Sequence, residues 1–201
     1  MNRNETINTM ALARISFFGL AGMLQLYRRL GSASAIVDHR KHIHEVMPDA
    51  SPRLQEALLT LDAPLERARE EYDYNLEHGI QMLCLNDENY PQRLKECDDA
   101  PLILYYKGTA DLNQRRVVNL VGTRQCTPYG EDFIHRFMAE LKQLSPRVLI
   151  VSGLAYGVDV IAHHEALANS YETVGVLAHG LDTLYPSRHK QIANEMVHQG
   201  G

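Results

Sequence analysis

Apolar side chains recur at intervals of roughly three and four from residue 6 to about 61. Leu12, Ile15, Phe18, Leu20, Leu24, Leu26, Tyr27 and Leu30 form the clearest run. That spacing predicts helices. Gly19, Gly22 and Gly31 divide the run into a helix, a glycine-containing turn, a second helix and a glycine stop. A third helix is expected near Ala33 to Asp38. Ser51 and Pro52 then offer a cap and a proline at the first helical position, leading into RLQEALL. A charged helical stretch, PLERAREEYDYNLE, follows over 64–77.

Beyond it the pattern changes from helical to strand-like. Ile80 to Leu85 and Leu102 to Tyr106 are short apolar runs of the length expected for buried strands, with NDENYP as a turn and PQRLKEC as a short helix between them. From Arg115 onward the order strand–turn–helix repeats three times. The strands are 117–121, 148–151 and 173–177; the helices are EDFIHRFMAELKQL, VIAHHEALAN and RHKQIANEMVHQ. This alternation predicts an α/β fold with a Rossmann-like, doubly wound, mainly parallel sheet. Two domains are therefore expected, a helical module over 1–75 and an α/β domain over 76–201. The sequence stops after a helix ending in glycine, so the sheet is expected to be incomplete at that end.

Composition adds limits. Apolar and charged residues make up 45% and 22% of the 201 residues, as in ordinary globular proteins. No apolar run is long enough to span a membrane, and the N-terminus lacks a signal-peptide layout. Cys84, Cys97 and Cys126 are few and far apart, which argues against a disulfide framework or zinc site and fits a reducing cytoplasm. The net charge of −5 counts against a generically basic nucleic-acid binder. Any anion site must be local, and Arg115, Arg116 and Arg124 group around one predicted strand end.

In a doubly wound sheet, ligands collect beyond the C-terminal strand ends, where the three glycine-bearing turns fall. The first holds Gly122, Thr123 and Arg124. Gly122 permits close backbone approach, Thr127 and Pro128 begin the next helix, and Arg124 adds a permanent planar charge. Phosphate binding at the helix start and an ordinary strand-to-helix turn both fit. The second, SGLAYG over 152–157, includes Gly153 and Ala155. It matches neither the dinucleotide nor the P-loop fingerprint, so no NAD or ATP cofactor is expected. Asp159 and His163 lie four apart on the following helix and share a face. They are either a hydrolase-like base with its orienting carboxylate, or a cap and a polar core residue. No nucleophile accompanies them. His163–His164 and His42 with His44 are poorly spaced for one metal, so no metal site is expected. In the third turn, Tyr185 offers a flat face and Arg188 a cation, or the two shape a structural corner.

Taken together, YPQRL, APLILYYKG, VVNLVGTRQCTPYG, VLIVSGLAYGVDVIAHHEAL and TVGVLAHGLDTLYPSRHKQI resemble the DNA-processing protein A (DprA, or Smf) family. The resemblance covers about residues 80–201. Departures are His179 in place of a small residue, Ser145–Pro146 where a glycine usually stands, and Thr123 where serine is common. The N-terminal helices are similar to the family's SAM-like or helix–hairpin–helix module. That hairpin would be Phe17 to Gly22, which has no nearby lysine. The resemblance implies sequence-independent binding of single-stranded DNA in natural transformation, protection of incoming strands, help in loading RecA recombinase, a homodimer and no catalysis. On that footing a strand path is expected in which Gly122, Thr123 and Arg124 hold a phosphate, Gly153 and Ala155 leave room for the backbone and Tyr185 and Arg188 border the strand, supported by Thr127, Asp159 and His163. An alternative class is the lysine-decarboxylase-like nucleotide phosphoribohydrolases, which share the first turn; their PGGxGT-type loop does not occur in this sequence.

Overall fold

The computed structural model describes residues 2–15 and 19–201, in two compact units, Met1–Tyr106 and Lys107–Gly201. The expected Phe17–Phe18 part of the N-terminal hairpin lies outside the described residues.

The first unit holds α1 (Arg3–Leu12), α2 (Leu20–Leu30), α3 (Ala33–Asp38), α4 (Ile43–Val46), α5 (Pro52–Leu59) and α6 (Asp62–Glu77). Local chemistry sets their ends. Gly31 closes α2 in the left-handed conformation at φ 82°, donating to the Tyr27 carbonyl at 2.8 Å. Ser32 caps α3, and the Glu5 carboxylate accepts from the Ala33 and Ser34 amides at the same helix start, at 2.7 and 2.9 Å. Ser51 and Pro52 open α5 as expected, Ser51 accepting from Leu54 N–H. Met10, Leu12, Leu24, Ile36, Ile43, Leu58 and Leu61 are fully or almost fully buried.

The strands β1 (Gln81–Cys84) and β2 (Ile103–Tyr106) flank the one-turn helix α7 (Gln92–Lys95) and pair antiparallel, with Met82 opposite Tyr105. They belong to the first unit, where β1 packs against α1 and α6. The contact division falls after Tyr106, so the first unit is helical with a small hairpin added, whereas the change of sequence pattern falls near residue 75. An apolar run of four to six residues reads alike in an antiparallel hairpin and a parallel sheet, so the pairing of these strands is not written in the runs themselves.

The second unit is a three-stranded parallel sheet in the order β3 (Val117–Asn119), β4 (Leu149–Ser152), β5 (Thr173–Gly175). The helices α8 (Pro128–Leu144) and α9 (Val158–Ala168) are the crossovers, and α10 (Lys190–His198) follows β5. This is the Rossmann-like α/β arrangement expected. Ile134 and Met138 of α8 pack with Ala162 and Ala166 of α9 over Val148 and Ile150, and Tyr171 closes the cluster. Leu154, Ile192 and Met196 form a second cluster under the third turn. Burying such aliphatic side chains contributes roughly 1.5–3 kcal/mol each. Among the described residues, no helix is long and apolar enough to cross a membrane.

Candidate functional site

All three parallel strands end at the same edge, so their following turns meet there. The first turn leads into α8, whose cap is built from sequence-local parts. Thr127 is extended at φ −84° and its hydroxyl accepts from Gly130 N–H at 3.2 Å, with Pro128 next. Thr123 shapes the turn by accepting from the Gln125 amide at 3.1 Å. Gly122, Thr123, Arg124 and Thr127 are all exposed. Arg124 is thus an exposed cation in the turn that leads to the positive end of a 17-residue helix.

The second turn locks onto the first. Val158 N–H donates to the Thr123 carbonyl at 3.1 Å. Gly157 sits at φ 76°, and a side chain there would collide with the Thr123 carbonyl and the Arg124 backbone. The glycines at this edge make room for the protein's own side chains. A Cβ on Gly122 would stand 2.7 Å from Val158, and one on Gly153 would stand 2.7 Å from an Asp159 oxygen. On the side where a Cβ would stand, Val158 lies against Gly122 and Asp159 against Gly153, so both glycines serve the packing of the turns onto α9.

Asp159 and His163 do share the inner face of α9, yet they do not engage each other by hydrogen bond. Asp159 accepts from Ala155 N–H at 3.4 Å and so holds the second turn, in which Ala155 is half-buried. His163 is fully buried; its Nδ1 meets the Thr173 hydroxyl at 2.7 Å, and its Nε2 has no hydrogen-bond partner among the described residues. Burial, with help from His164 and His189, pushes its pKa down to about 4, so it is neutral at physiological pH. A base sealed from solvent with its one bonded nitrogen on Thr173 is not arranged to serve a substrate.

The third turn joins the second from the other side. The buried His189 donates from Nδ1 to the Leu154 carbonyl at 2.8 Å, and its ring stands edge-on to Tyr156 at 5.0 Å. Leu154 itself holds φ 57°, a strained conformation for a branched side chain, kept in place by its burial against Ile192 and Met196. His179, unexpected in this turn, accepts the Tyr185 N–H at 3.3 Å. The Tyr185–Pro186 peptide is cis. Tyr185 is 70% exposed and Arg188 is exposed beside the buried His189.

The edge thus presents Arg124, Arg188 and three exposed tyrosines, Tyr129, Tyr156 and Tyr185. Only Tyr185 was singled out from sequence. Tyr129, two residues past the cap, and Tyr156, inside the second turn, could have been found by asking which aromatics fall on turns. Arg115 and Arg116 do not belong here. They precede β3 while Arg124 follows it, and strand direction separates the two ends. Among the described residues, no group of three or more potential metal ligands assembles.

The DNA recombination-mediator protein A family profile matches residues 81–201. The chain is 40% identical over 106 residues to the DNA processing protein DprA of Streptococcus pneumoniae strain R6, covering 53% of this chain and 36% of that protein. It is 34% identical over 122 residues to the DNA processing protein DprA of Bacillus subtilis, covering 60% and 40%. The chain therefore spans well under half the length of these curated relatives. The X-ray structure of DprA from Streptococcus pneumoniae superposes with a TM-score of 0.68 at 25% identity, covering 94% of this chain and 63% of that one. Since the profile takes in the hairpin and the entire parallel sheet, the chain belongs to the DNA recombination-mediator protein A family.

Proposed function

We propose that this chain binds single-stranded DNA without sequence preference, as part of DNA processing in natural transformation. One observation carries the reading: Arg124, Arg188, Tyr129, Tyr156 and Tyr185 are all exposed along one edge of the parallel sheet. Cations that meet phosphates, set among aromatic faces on which bases stack, are what a sequence-tolerant single-strand binder requires. The relatives from Streptococcus pneumoniae and Bacillus subtilis, each named DNA processing protein DprA, agree with it. The protein acts by binding rather than by catalysis. His163 and Asp159, the pair on α9 that sequence offered as a base with its carboxylate, both make internal contacts. In this reading it works in the cytoplasm as a homodimer, protects incoming strands and helps load RecA recombinase.

The test is anisotropy of a labelled dT oligonucleotide with the unmodified chain and Arg124→Ala at two salt concentrations. Losing one charge-assisted phosphate contact should weaken binding about tenfold or more. Equal affinity of the two proteins would remove Arg124 from the DNA path, and no binding by either would limit the likeness to fold.

A further inference from the structure

Arg115 and Arg116 lead into β3 and Arg147 leads into β4, at the N-terminal edge of the sheet, opposite the glycine turns. With Asp111 and Gln114 they line a cavity of about 430 Å³, within the range of small-ligand sites. The two strand starts are tied together by the Leu149 amide, which donates to the Arg116 carbonyl at 3.0 Å.

Three arginines and one aspartate line this space. That carboxylate, Asp111, accepts from the Asn113 amide of its own turn at 2.9 Å. Glu172 nearby receives the side-chain amide of Gln114. Arg116 donates to the neutral hydroxyl of Ser145 at 2.9 Å, which orients its fork and leaves its charge in place. Among the described residues, no ion pair engages Arg116 or Arg147. Lys142 adds a further cation on the same side. Its ammonium is held by the carbonyls of Pro146 and Ser170, which are also neutral. Arg116 and Arg147 bring like charges to one lining, and an anion placed between them relieves their repulsion. Guanidinium forks suit phosphate, whose oxygens outnumber those of a carboxylate and can be shared among several arginines.

We infer that this cavity binds a phosphate group through Arg115, Arg116 and Arg147, at a site separate from the glycine turns. The phosphate comes either from a nucleic-acid backbone or from a free phosphorylated molecule.

Two probes distinguish these sources: inorganic pyrophosphate by titration calorimetry, and a dT oligonucleotide by anisotropy over a salt series. The variants are Arg147→Gln and Arg115→Gln/Arg147→Gln, with Arg116 retained because it braces Ser145. Arg124→Ala is the control, and a thermal melt of each confirms folding. A free-phosphate site predicts pyrophosphate binding that weakens about tenfold or more in Arg147→Gln and is unchanged in Arg124→Ala. A backbone site predicts an oligonucleotide log–log salt slope shallower by about 0.7 in Arg147→Gln. If the unmodified chain binds no pyrophosphate and the slope is the same in Arg147→Gln, the inference is overturned. It is equally overturned if pyrophosphate binding survives the double variant and is lost in Arg124→Ala.

Discussion

His163 joins a structural role to a measurable pH dependence. Folding removes the imidazole from water and offers it one hydrogen bond, to Thr173. Its pKa falls from the ordinary 6.5 to about 4, chiefly through burial. Between those values the unfolded chain takes up a proton that the folded chain refuses. Stability from this residue is therefore fully present above about pH 6.5 and is lost as pH falls toward 4, by roughly 3 kcal/mol in all. Urea unfolding at pH 7.0, 5.5 and 4.5 should show a steeper acid loss in the unmodified chain than in His163→Gln. Parallel profiles would mean that the imidazole is not held neutral. The sequence located this residue and left two roles open. What decides between them is the partner, Thr173, which sits on a different element and leaves no trace in local spacing. The same holds for Gly122 and Gly153. Their lack of a side chain is visible in the sequence; that Val158 and Asp159 fill the space is not.

At the scale of elements, α8 is the part of the site best specified locally. Thr127 caps it, Pro128 fits its first turn, and Ile134 and Met138 set its buried face. Thr127→Ala leaves the Gly130 amide without its partner and should cost about 1 kcal/mol of stability by urea unfolding, while Thr127→Ser should restore most of it. Equal stability of Thr127→Ala and the unmodified chain would show that solvent replaces the cap fully. The start of this helix, the order of the three strand–turn–helix units and the Ser51–Pro52 start of α5 were legible because each is written in neighbouring residues. The unit boundary was not. It depends on whether β1 and β2 pair with each other or join the parallel sheet, a choice made by distant contacts with α1 and α6. Strand polarity likewise separates Arg115 and Arg116 from Arg124, although a few residues of sequence bring them together.

Across the whole molecule, charge is unevenly divided. The first unit, Met1–Tyr106, carries 11 Lys and Arg against 16 Asp and Glu, and the second unit carries nine of each. The entire net charge of −5 therefore belongs to the first unit, and the unit bearing the glycine turns is neutral overall. A neutral body does not attract DNA by its total charge. Under the proposed function, affinity is expected from a few placed cations, with aromatic faces adding about 1–3 kcal/mol per stacked base. Salt dependence measures that division directly, because each phosphate contact on a single strand contributes about −0.7 to the log–log slope. Arg124 and Arg188 alone give a slope of about −1.4 by this rule, and a third contact would bring it to about −2. Anisotropy of a dT oligonucleotide from 50 to 300 mM salt should therefore give a slope between about −1 and −2, shallower than that of a basic binder. A slope near zero would mean that no phosphate is held at the turns. One steeper than about −4 would require a broad cationic surface, which nine cations balanced by nine carboxylates do not supply.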